Sequence, residues 1–392
     1  MKQRLDGLAV FRELLKDGAV AAFRELLQDC CRNDADNFVS HCGEFESLLF
    51  QQSDCWTAYL RRAVMESENV CIRNWASGAV TAVQEECLNR ELVFLDRLSQ
   101  VTLDDLTAGL DHAPDFLVGW RTEGGSIAQD YRQRMQEVGE KGYGIFARYH
   151  MFTVENGQLV PVKHPDPQQL KQLPGYEQER QKVIANTQAL LDGKPANNVL
   201  LYGDAGTGKS SAIKAIANNF AAQGLRLVEV KKNQLYQIPD LMDALAANPL
   251  KFILFIDDLS FTSNDDNFAA LKAILEGSVG GRAQNIAVYA TSNRRHLIKE
   301  TMTDRSGDDI HESDTRQELM SLSARFGLTV TFASPDRDRY LYIVGELAKQ
   351  YGVDLDEHTL AVRSEAFAIR MGGRSARVAK QFIELCKSGV QV

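Results

Sequence analysis

The sequence predicts an α/β protein: an all-α region, then a domain built on a parallel sheet, then a small group of helices. Three observations carry this prediction. Between residues 199 and 332, short apolar runs alternate with helix-like stretches, which is typical of a parallel sheet with helices on both faces. No proline occurs before Pro114, which favours helices in the first part of the chain. After Pro335 the apolar spacing is helical throughout.

The bulk composition is that of an ordinary globular chain. Its 392 residues are enough for two or three domains. The formal net charge of −9 argues against a broad surface that coats nucleic acid, although a local basic patch stays open. No apolar run reaches the length of a membrane-spanning helix, and charged residues interrupt the start of the chain. We therefore expect a cytoplasmic protein without a membrane partner.

The cysteines do not indicate a disulfide framework, because their number is odd and they form no CxxC pair. Cys30, Cys31, His41 and Cys42 lie close together in the sequence and could in principle hold a metal. Their spacing matches no standard zinc pattern, so reduced thiols buried on helices are the simpler interpretation.

Residues 1–140 are predicted to form a helical domain. Apolar residues recur at helical spacing in 11–15 and 23–27, and longer helices are predicted at 55–67, 71–89 and 91–100. Trp56, Trp75 and Trp120 are expected to anchor its core rather than to form a ligand platform. The region carries no catalytic constellation, so recognition, regulation and a plain all-α cap remain open interpretations.

The rest of the chain divides at its prolines. Residues 141–165 are predicted to be an aromatic and proline-rich connector, with a turn at 155–158. The α/β domain is predicted at 166–334 and a helical lid at 335–392. The predicted strands are 199–202, 225–230, 252–256, 286–290 and 328–332, and the predicted helices are 178–191, 238–247, 268–276, 337–351, 357–371 and 375–387.

A glycine-rich stretch joins the first predicted strand to a helix. It fits the pattern GxxxxGK(S/T), in which the fixed residues are Gly203, Gly208, Lys209 and Ser210. Glycines let several backbone N–H groups point at one phosphate chain, and the next helix presents its N-terminus to the same anion. Lys209 would bind the β- and γ-phosphates, and the Ser210 hydroxyl would bind Mg²⁺. The predicted phosphate-binding residues are Gly203, Asp204, Ala205, Gly206, Thr207, Gly208, Lys209, Ser210 and Ser211.

Two other strands end in polar residues. The apolar run 252–256 ends in Asp257 and Asp258, and the run 286–290 is followed by Thr291, Ser292 and Asn293. Ligands bind at the carboxyl ends of such strands. Asp257 is predicted to complete the Mg²⁺ site and Asp258 to act as the base for an attacking water. Asn293 is predicted to orient that water or to contact the γ-phosphate.

The order of these motifs resembles that of AAA+ ATPases over residues 166–392. Residues 203–210 resemble Walker A, 252–258 resemble Walker B, and Asn293 resembles sensor 1. Residues 321–327 resemble the segment with the arginine finger, and 372–379 resemble the sensor 2 helix. The whole chain resembles a bacterial AAA+ family that is still labelled as a domain of unknown function.

The resemblance implies ATP and Mg²⁺ as cofactors, ATP hydrolysis, and a homo-oligomer in the form of a closed or open ring. Arg325 would reach into the site of a neighbouring subunit and offset charge on the γ-phosphate. Arg377 would close the lid on the phosphate of its own subunit, with Arg374 as a nearby rival for that role. Tyr176 precedes the first helix, where the family contacts adenine, but simple packing is an equal interpretation.

Two departures from the family pattern affect the expected function. Asp258 stands where the family usually has Glu, although initiator-like AAA+ proteins also use two aspartates. Residues 231–236 lack a clear aromatic-hydrophobic-glycine pore loop. The second departure argues against threading of an unfolded chain and favours a remodeller, a loader or a switch.

Three functions therefore stay open. The first is an ATPase that remodels or loads a protein partner that the sequence does not identify. The second is a switch that binds ATP with little turnover. The third is a loader associated with nucleic acid, for which Lys231, Lys232, Arg294 and Arg295 could contact phosphates, although subunit contacts explain these residues equally well. The acidic stretch 304–314 is expected to be a solvated loop rather than a metal site.

Overall fold

The computed structural model describes residues 1–112, 115–259, 270–272, 274–275, 283–293 and 324–390. The chain divides into two compact units, Met1–Arg148 and Tyr149–Val392. The first unit is helical, and the second contains a mostly parallel sheet followed by helices. The predicted α/β fold with an all-α region before it and helices after it is therefore confirmed.

The first unit consists of ten α-helices and one 3-10 helix at Arg12–Lys16 within its described residues. Its core contains a cluster of aromatic rings, in which Phe23 stacks on Trp56 at 4.7 Å and Phe45 meets Trp120 edge-on at 4.7 Å. Trp56 and Trp120 are thus core anchors, as predicted, whereas Trp75 is 38% exposed and the prediction for it is wrong. The α-helices are α1 Lys2–Asp6, α2 Gly18–Arg32, α3 Ala35–Phe50, α4 Trp56–Glu66, α5 Val70–Trp75, α6 Ala82–Leu98, α7 Leu103–Thr107, α8 Ile127–Gln136, α9 Val138–Lys141 and α10 Ile145–Arg148.

The predicted helices at 71–89 and 91–100 are wrong in their boundaries. Helix α5 ends at Trp75, and Gly78 then adopts a positive φ of 67° that breaks the helix. Thr81 begins α6 because its side chain accepts a hydrogen bond from the N–H of Gln84, in a capping box. Helix α6 then continues through residue 90 without a break. The helix boundaries here are therefore set by Gly78 and the Thr81 cap, and not by the apolar spacing on which the prediction was based.

The expectation of buried thiols holds for only some cysteines of the first unit, because Cys42 is buried and Cys30 half-buried whereas Cys31 is exposed. All seven cysteines of the chain are free. Burial raises the pKa of Cys42 to about 12 and that of Cys30 to about 11. In the part of the chain that the structure describes, no group of three His, Cys, Asp or Glu side chains could hold a metal ion.

The second unit is built on a seven-stranded sheet with the order β2-β1-β4-β5-β6-β3-β7. Among the strands that the structure describes, β1–β2 is the one antiparallel pair. Strands β5 and β6 lie in the middle and are buried along nearly their whole length, as their continuous apolar runs predict. The strands are β1 Met151–Glu155, β2 Gln158–Pro161, β3 Val199–Gly203, β4 Leu225–Glu229, β5 Lys251–Ile256, β6 Ile286–Ser292 and β7 Leu328–Phe332.

The connector predicted at 141–165 differs from the structure in its second half. Strand β1 pairs in parallel with β4, with Phe152 opposite Val228, so the hairpin extends the sheet by two strands. The unit boundary accordingly falls after Arg148, and not near Pro165. Phe152 and Val154 are buried, so the aromatic and apolar residues of this stretch serve the core of the second unit.

Six α-helices of the second unit lie within the described residues. Three follow the sheet and pack on one another, with the rings of Phe367 and Phe382 5.8 Å apart. The predicted helix at 268–276 lies mostly outside the described residues. Within the described ranges, every helix is too short or too polar to span a bilayer. The helices are α11 Glu177–Leu191, α12 Lys209–Phe220, α13 Ile238–Ala246, α14 Arg337–Tyr351, α15 Glu357–Arg370 and α16 Ala376–Lys387.

Candidate functional site

The candidate site lies where three neighbouring strands end. Strand β6 pairs with β5, with Ala290 opposite Ile256, and with β3, with Ser292 opposite Tyr202. Because these strands are parallel, their carboxyl ends meet at one edge of the sheet. The glycine-rich loop after β3, the two aspartates after β5 and the asparagine after β6 therefore converge, as the sequence predicts.

The loop between β3 and α12 requires glycine at its first fixed position. Gly203 has a φ of 137°, and a Cβ there would lie 2.1 Å from the carbonyl oxygen of Phe332. Gly208 has a φ of 91° and directly precedes α12. The backbone can thus turn sharply into the helix, whose N-terminal N–H groups favour an anion.

Lys209 is the buried cation of the site. Its Nζ donates hydrogen bonds to the carbonyl oxygens of Gly203 at 2.9 Å and Asp204 at 2.7 Å, and to Oδ1 of Asn293 at 2.9 Å. Burial lowers the pKa of this ammonium, and the neighbouring aspartates only partly oppose that effect. An anionic ligand beside Nζ would favour the charged form, so the site is suited to a phosphate.

Asp257 brings together the oxygen ligands that a magnesium ion prefers. Its Oδ1 accepts a hydrogen bond from the hydroxyl of Ser210 at 2.6 Å and another from the hydroxyl of Thr291. A carboxylate and a hydroxyl this close fit a hard divalent cation with several water ligands. The predicted metal pair, Ser210 and Asp257, is therefore assembled, and Thr291 is a contributor that the sequence analysis missed.

Asp258 is held in an unusual backbone conformation beside this pair. Its φ is 51°, in the left-handed region, and its N–H donates to Oγ1 of Thr291 at 2.9 Å. Its side-chain Oδ1 accepts a hydrogen bond from Nδ2 of Asn293 at 2.7 Å. Asn293 thus contacts both Lys209 and Asp258, so the three side chains form one connected network.

The side chain of Asp204 does not face the phosphate site, although the residue was predicted to bind phosphate. Its Oδ2 accepts a hydrogen bond from the N–H of Ser334 at 2.6 Å, and hydrogen bonding by the side chain and then the backbone of Ser334 lowers the pKa of the carboxyl group. Ser334 lies in the joint between β7 and α14. Only the backbone of Asp204 remains available to the loop, and its carboxylate ties the loop to the start of the C-terminal helices.

Arg374 and Arg377 differ in their positions relative to the glycine-rich loop. The N–H of Arg377 donates to the carbonyl oxygen of Gly206 at 3.0 Å, and its side chain lines the cleft over the glycine-rich loop. Arg374 instead forms an ion pair with Glu365, with N–O distances of 2.9 and 2.8 Å. Arg377 is therefore the arginine that the C-terminal helices bring to the site.

The family model described as "Protein of unknown function (DUF815)" matches residues 146–390. The chain belongs to this DUF815 family. The match covers almost the whole of the second unit, which contains the site.

Two further similarities were found. An AAA-ATPase from Arabidopsis thaliana is 30% identical over 173 residues, which span 41% of this chain and 30% of that relative. A mutant of RuvB from Thermotoga maritima has 16% sequence identity and a TM-score of 0.36, over 56% of this chain and 64% of that chain. The similarity to the AAA-ATPase confirms the AAA+ resemblance that the motifs indicate.

Arg325 is the one predicted site residue of this DUF815 protein that the structure does not bring to the others. Strand β7 is parallel to β3, with Leu328 opposite Val199 and Phe332 opposite Gly203. Arg325 precedes β7, so it lies near the beginning of β3, and Gly203 lies a strand length of ~13 Å farther along. Its backbone therefore lies toward the opposite edge of the sheet from its own phosphate loop.

The cleft continues beyond the phosphate loop along residues at the start of the predicted α/β domain, to which the sequence analysis gave no role in binding. Its volume is about 1060 Å³. Gln168, Lys171, Leu173 and Pro174 line one wall, and Ile343, Leu347 and Tyr351 of α14 also line the cleft. Apolar and amide groups of this kind suit a flat heterocycle. Proline spacing alone gave no signal of this role.

Tyr176 lies in the wall of the cleft, but packing covers almost all of its side chain. It is 2% exposed, its hydroxyl donates to the carbonyl oxygen of Ala333 at 2.6 Å, and its ring stacks on Phe332 at 5.2 Å. These contacts favour the packing interpretation. Arg294, Arg295 and the acidic stretch 304–314 lie outside the described residues.

Proposed function

We propose that this protein binds ATP together with Mg²⁺ and hydrolyses it in order to remodel or load a macromolecular partner. The observation that carries the proposal is the network of Lys209, Asn293 and Asp258 beside the Ser210–Asp257 pair. A buried ammonium, an oxygen pair suited to Mg²⁺ and a second carboxylate are the groups that phosphoryl transfer to water requires.

Binding is assigned to the loop, Lys209 and the Ser210–Asp257 pair. Lys209 would exchange its hydrogen bonds with Asn293 and two carbonyl oxygens for phosphate oxygens. Ser210 and Asp257 would hold Mg²⁺, which neutralises charge on the β- and γ-phosphates when bound. The hydroxyl of Ser210 can rotate away from Asp257, so this exchange requires no backbone movement.

Hydrolysis is assigned to Asp258 and Asn293. Asp258 would accept a proton from the attacking water, and Asn293 would keep the carboxylate oriented through its amide. Arg377 would add positive charge over the loop from the C-terminal helices. Each of these groups is placed by the end of a strand or by a helix, which suits a preorganised site.

The proposal includes a homo-oligomer, and the position of Arg325 supports it. A cation at the opposite edge of the sheet from its own loop is suited to the γ-phosphate of a neighbouring subunit. We therefore propose a ring or open ring in which each site is completed by the next chain. The remodelled partner is proposed to be a protein, and binding of nucleic acid is the alternative that a salt titration would reveal.

A switch with little turnover is the second candidate function. It is favoured by Asp258, whose side chain is one methylene shorter than Glu and is already hydrogen-bonded to Asn293. ATP binding with a negligible rate of phosphate release in the assembled protein would support the switch and contradict the hydrolase.

The decisive experiment compares two lysines of the same helix. Lys209→Ala should weaken binding of ATP with Mg²⁺ by about 10- to 100-fold, as measured by isothermal titration calorimetry. Lys214 lies on α12 and faces Glu229 at 4.0 Å, so Lys214→Ala is the matched control and should bind normally. Undiminished ATP affinity in Lys209→Ala would overturn the proposal.

A further inference from the structure

Asn218 has a set of contacts that the proposed chemistry does not use. Its Nδ2 donates two hydrogen bonds, to the carbonyl oxygens of Asp166 and Gln168, both at 2.8 Å. Its Oδ1 lies 2.9 Å from Nε2 of His150, which donates the third bond. Both donor hydrogens and the acceptor oxygen of this amide are therefore in use.

The backbone that Asn218 holds is the start of the segment 166–174, which we call the cleft strap. The far end of the strap is fixed independently, because the N–H of Gly175 donates to Oε1 of Glu177 at 2.6 Å and Arg180 donates to the Gly175 carbonyl oxygen. Between these two anchors, the strap contains a single 3-10 turn at Leu170–Gln172. The middle of the strap is also held, because Gln350 donates to the Lys171 carbonyl oxygen at 3.3 Å and Leu170 packs against the core. With so little regular structure of its own, the strap depends on these contacts and on its two anchors for its position.

The cleft strap lies beside the part of the cleft that is remote from the phosphates. Helix α12 carries Lys209 in its first turn and Asn218 near its end, nine residues later, which is ~13 Å along the helix axis. The strap lines the cleft through Gln168, Lys171, Leu173 and Pro174. The same rigid helix thus sets the distance between the phosphate end and the strap.

His150 connects this arrangement to the sheet. It precedes β1, and its carbonyl oxygen accepts a hydrogen bond from the N–H of Leu227 in β4 at 2.9 Å. The hydrogen bond from His150 therefore orients the amide of Asn218, and His150 is itself fixed to β4 through its backbone. An aspartate at this position would place a carboxylate oxygen against two carbonyl oxygens, and an alanine would leave both of them without a donor.

We infer that Asn218 is a positioning residue for nucleoside recognition: by holding the cleft strap, it gives the site its affinity for the adenosine half of the nucleotide. This inference rests on the proposed function, since it concerns the same cleft. The contacts described for Asn218 do not include side chains of the phosphate loop. Its substitution should therefore weaken binding of the nucleoside without weakening binding of the triphosphate. Binding of the triphosphate alone depends on Lys209 and its neighbours, and binding of the nucleoside depends on the strap.

The test compares two ligands, ATP and inorganic tripolyphosphate, each with Mg²⁺, in the full-length protein. Asn218→Ala and Asn218→Asp should weaken ATP binding by about tenfold and leave tripolyphosphate binding within about twofold of the unmodified protein. In steady-state assays, KM for ATP should rise while kcat stays within about twofold. Asn219→Ala is the matched control, because Asn219 is the exposed neighbour on the same helix and should change neither ligand.

Each outcome decides one of two questions. The variants are first checked for a normal far-ultraviolet circular dichroism spectrum. In a variant that passes, equal weakening of ATP binding and tripolyphosphate binding would overturn the role of Asn218. Unchanged ATP affinity would overturn it as well. If Asn218→Ala does not fold, the Asn218→Asp variant and a His150→Ala variant carry the same comparison. Failure of the unmodified protein to bind either ligand would instead overturn the proposed function.

Discussion

Glu91 in the first unit and Asp257 in the second are both carboxylates that accept several hydrogen bonds, but their donors differ. Glu91 accepts from the three consecutive backbone N–H groups of residues 9–11, at 2.7 to 3.1 Å. Asp257 accepts from the side-chain hydroxyls of Ser210 and Thr291 and from one backbone N–H, that of Asp258 at 3.1 Å. Backbone donors cannot turn away without unfolding the segment, whereas hydroxyls can rotate. Glu91 is therefore a structural carboxylate, and Asp257 can exchange its partners for a ligand.

The two units also differ in their net charge. The first unit has 24 acidic and 16 basic residues, and the second has 29 acidic and 28 basic residues. Most of the net negative charge of the chain thus belongs to the helical unit. An acidic surface repels phosphate backbones, so any contact with nucleic acid is expected from the second unit.

The largest expected effect tests whether the site of the second unit is complete in one chain. Arg325→Ala should lower turnover by about 10³- to 10⁵-fold with little change in ATP affinity, because the arginine lies away from its own loop. Mixing Arg325→Ala with Lys209→Ala subunits should restore part of the phosphate release, since some sites then combine an intact lysine with an intact arginine. Normal turnover of Arg325→Ala alone would contradict the trans role, as would mixed samples that stay inactive.

Asp258→Asn should reduce turnover by about 10²- to 10⁴-fold and leave ATP binding nearly unchanged. The amide keeps the shape of the side chain but cannot accept the proton of the attacking water. Phosphate release and calorimetric binding measure the two quantities separately. A variant that hydrolyses ATP at the normal rate would remove Asp258 from the mechanism, and the trapped nucleotide-bound form would also serve to co-purify the partner.

The two lid arginines provide a smaller and internally controlled comparison. Arg377→Ala should lower kcat/KM by about 10- to 100-fold, because its charge over the loop is lost. Arg374→Ala removes only an exposed ion pair with Glu365 and should stay within about twofold. The reverse order of effects in a steady-state assay would reassign the role to Arg374.

Glu91→Gln should destabilise the first unit by about 1–3 kcal/mol, because three backbone N–H groups then lose a charged acceptor. All three tryptophans lie in this unit, so urea unfolding followed by tryptophan fluorescence reports on it selectively. Turnover below the unfolding range should be unchanged. A variant with unaltered stability would contradict the structural role of Glu91 and with it the contrast to Asp257.

The parts of the site that the sequence predicts are those in which neighbouring residues act together. Gly203, Lys209 and Ser210 belong to one loop, and Asp257 directly follows a strand whose burial is evident from its apolar run. Asn293 follows from the same reasoning, because the ends of parallel strands meet. The prediction of these residues needed only the order of elements along the chain.

The parts that were missed depend on contacts between distant residues. Nothing in residues 151–161 reveals that β1 pairs with β4, and nothing near Asn218 reveals its bonds to the backbone of Asp166 and Gln168. Asp204 was assigned to phosphate by its position in the motif, although a backbone N–H at Ser334 takes its carboxylate. Such partners are selected by the folded sheet, so local patterns do not contain them.

The smallest expected effect is a pH dependence of the first unit. Nδ1 of His41 lies 2.6 Å from Oδ2 of the buried Asp29, and this hydrogen bond raises the pKa of His41 above its ordinary value of 6.5. A raised pKa means that the protonated form stabilises the folded state. This stabilisation is complete below about pH 6.5 and is lost as the pH rises through the raised value. The second unit lacks a corresponding tryptophan signal, so fluorescence again isolates the first unit.

Urea unfolding of the first unit should therefore yield a free energy that falls by less than about 1 kcal/mol between about pH 6 and about pH 8.5. His41→Gln should flatten this part of the profile, because glutamine can donate to Asp29 at either pH but carries no charge. The same slope in the variant would assign the pH dependence to another group. Loss of stability in His41→Gln at about pH 6 alone, with none at about pH 8.5, would identify the charged pair as its source.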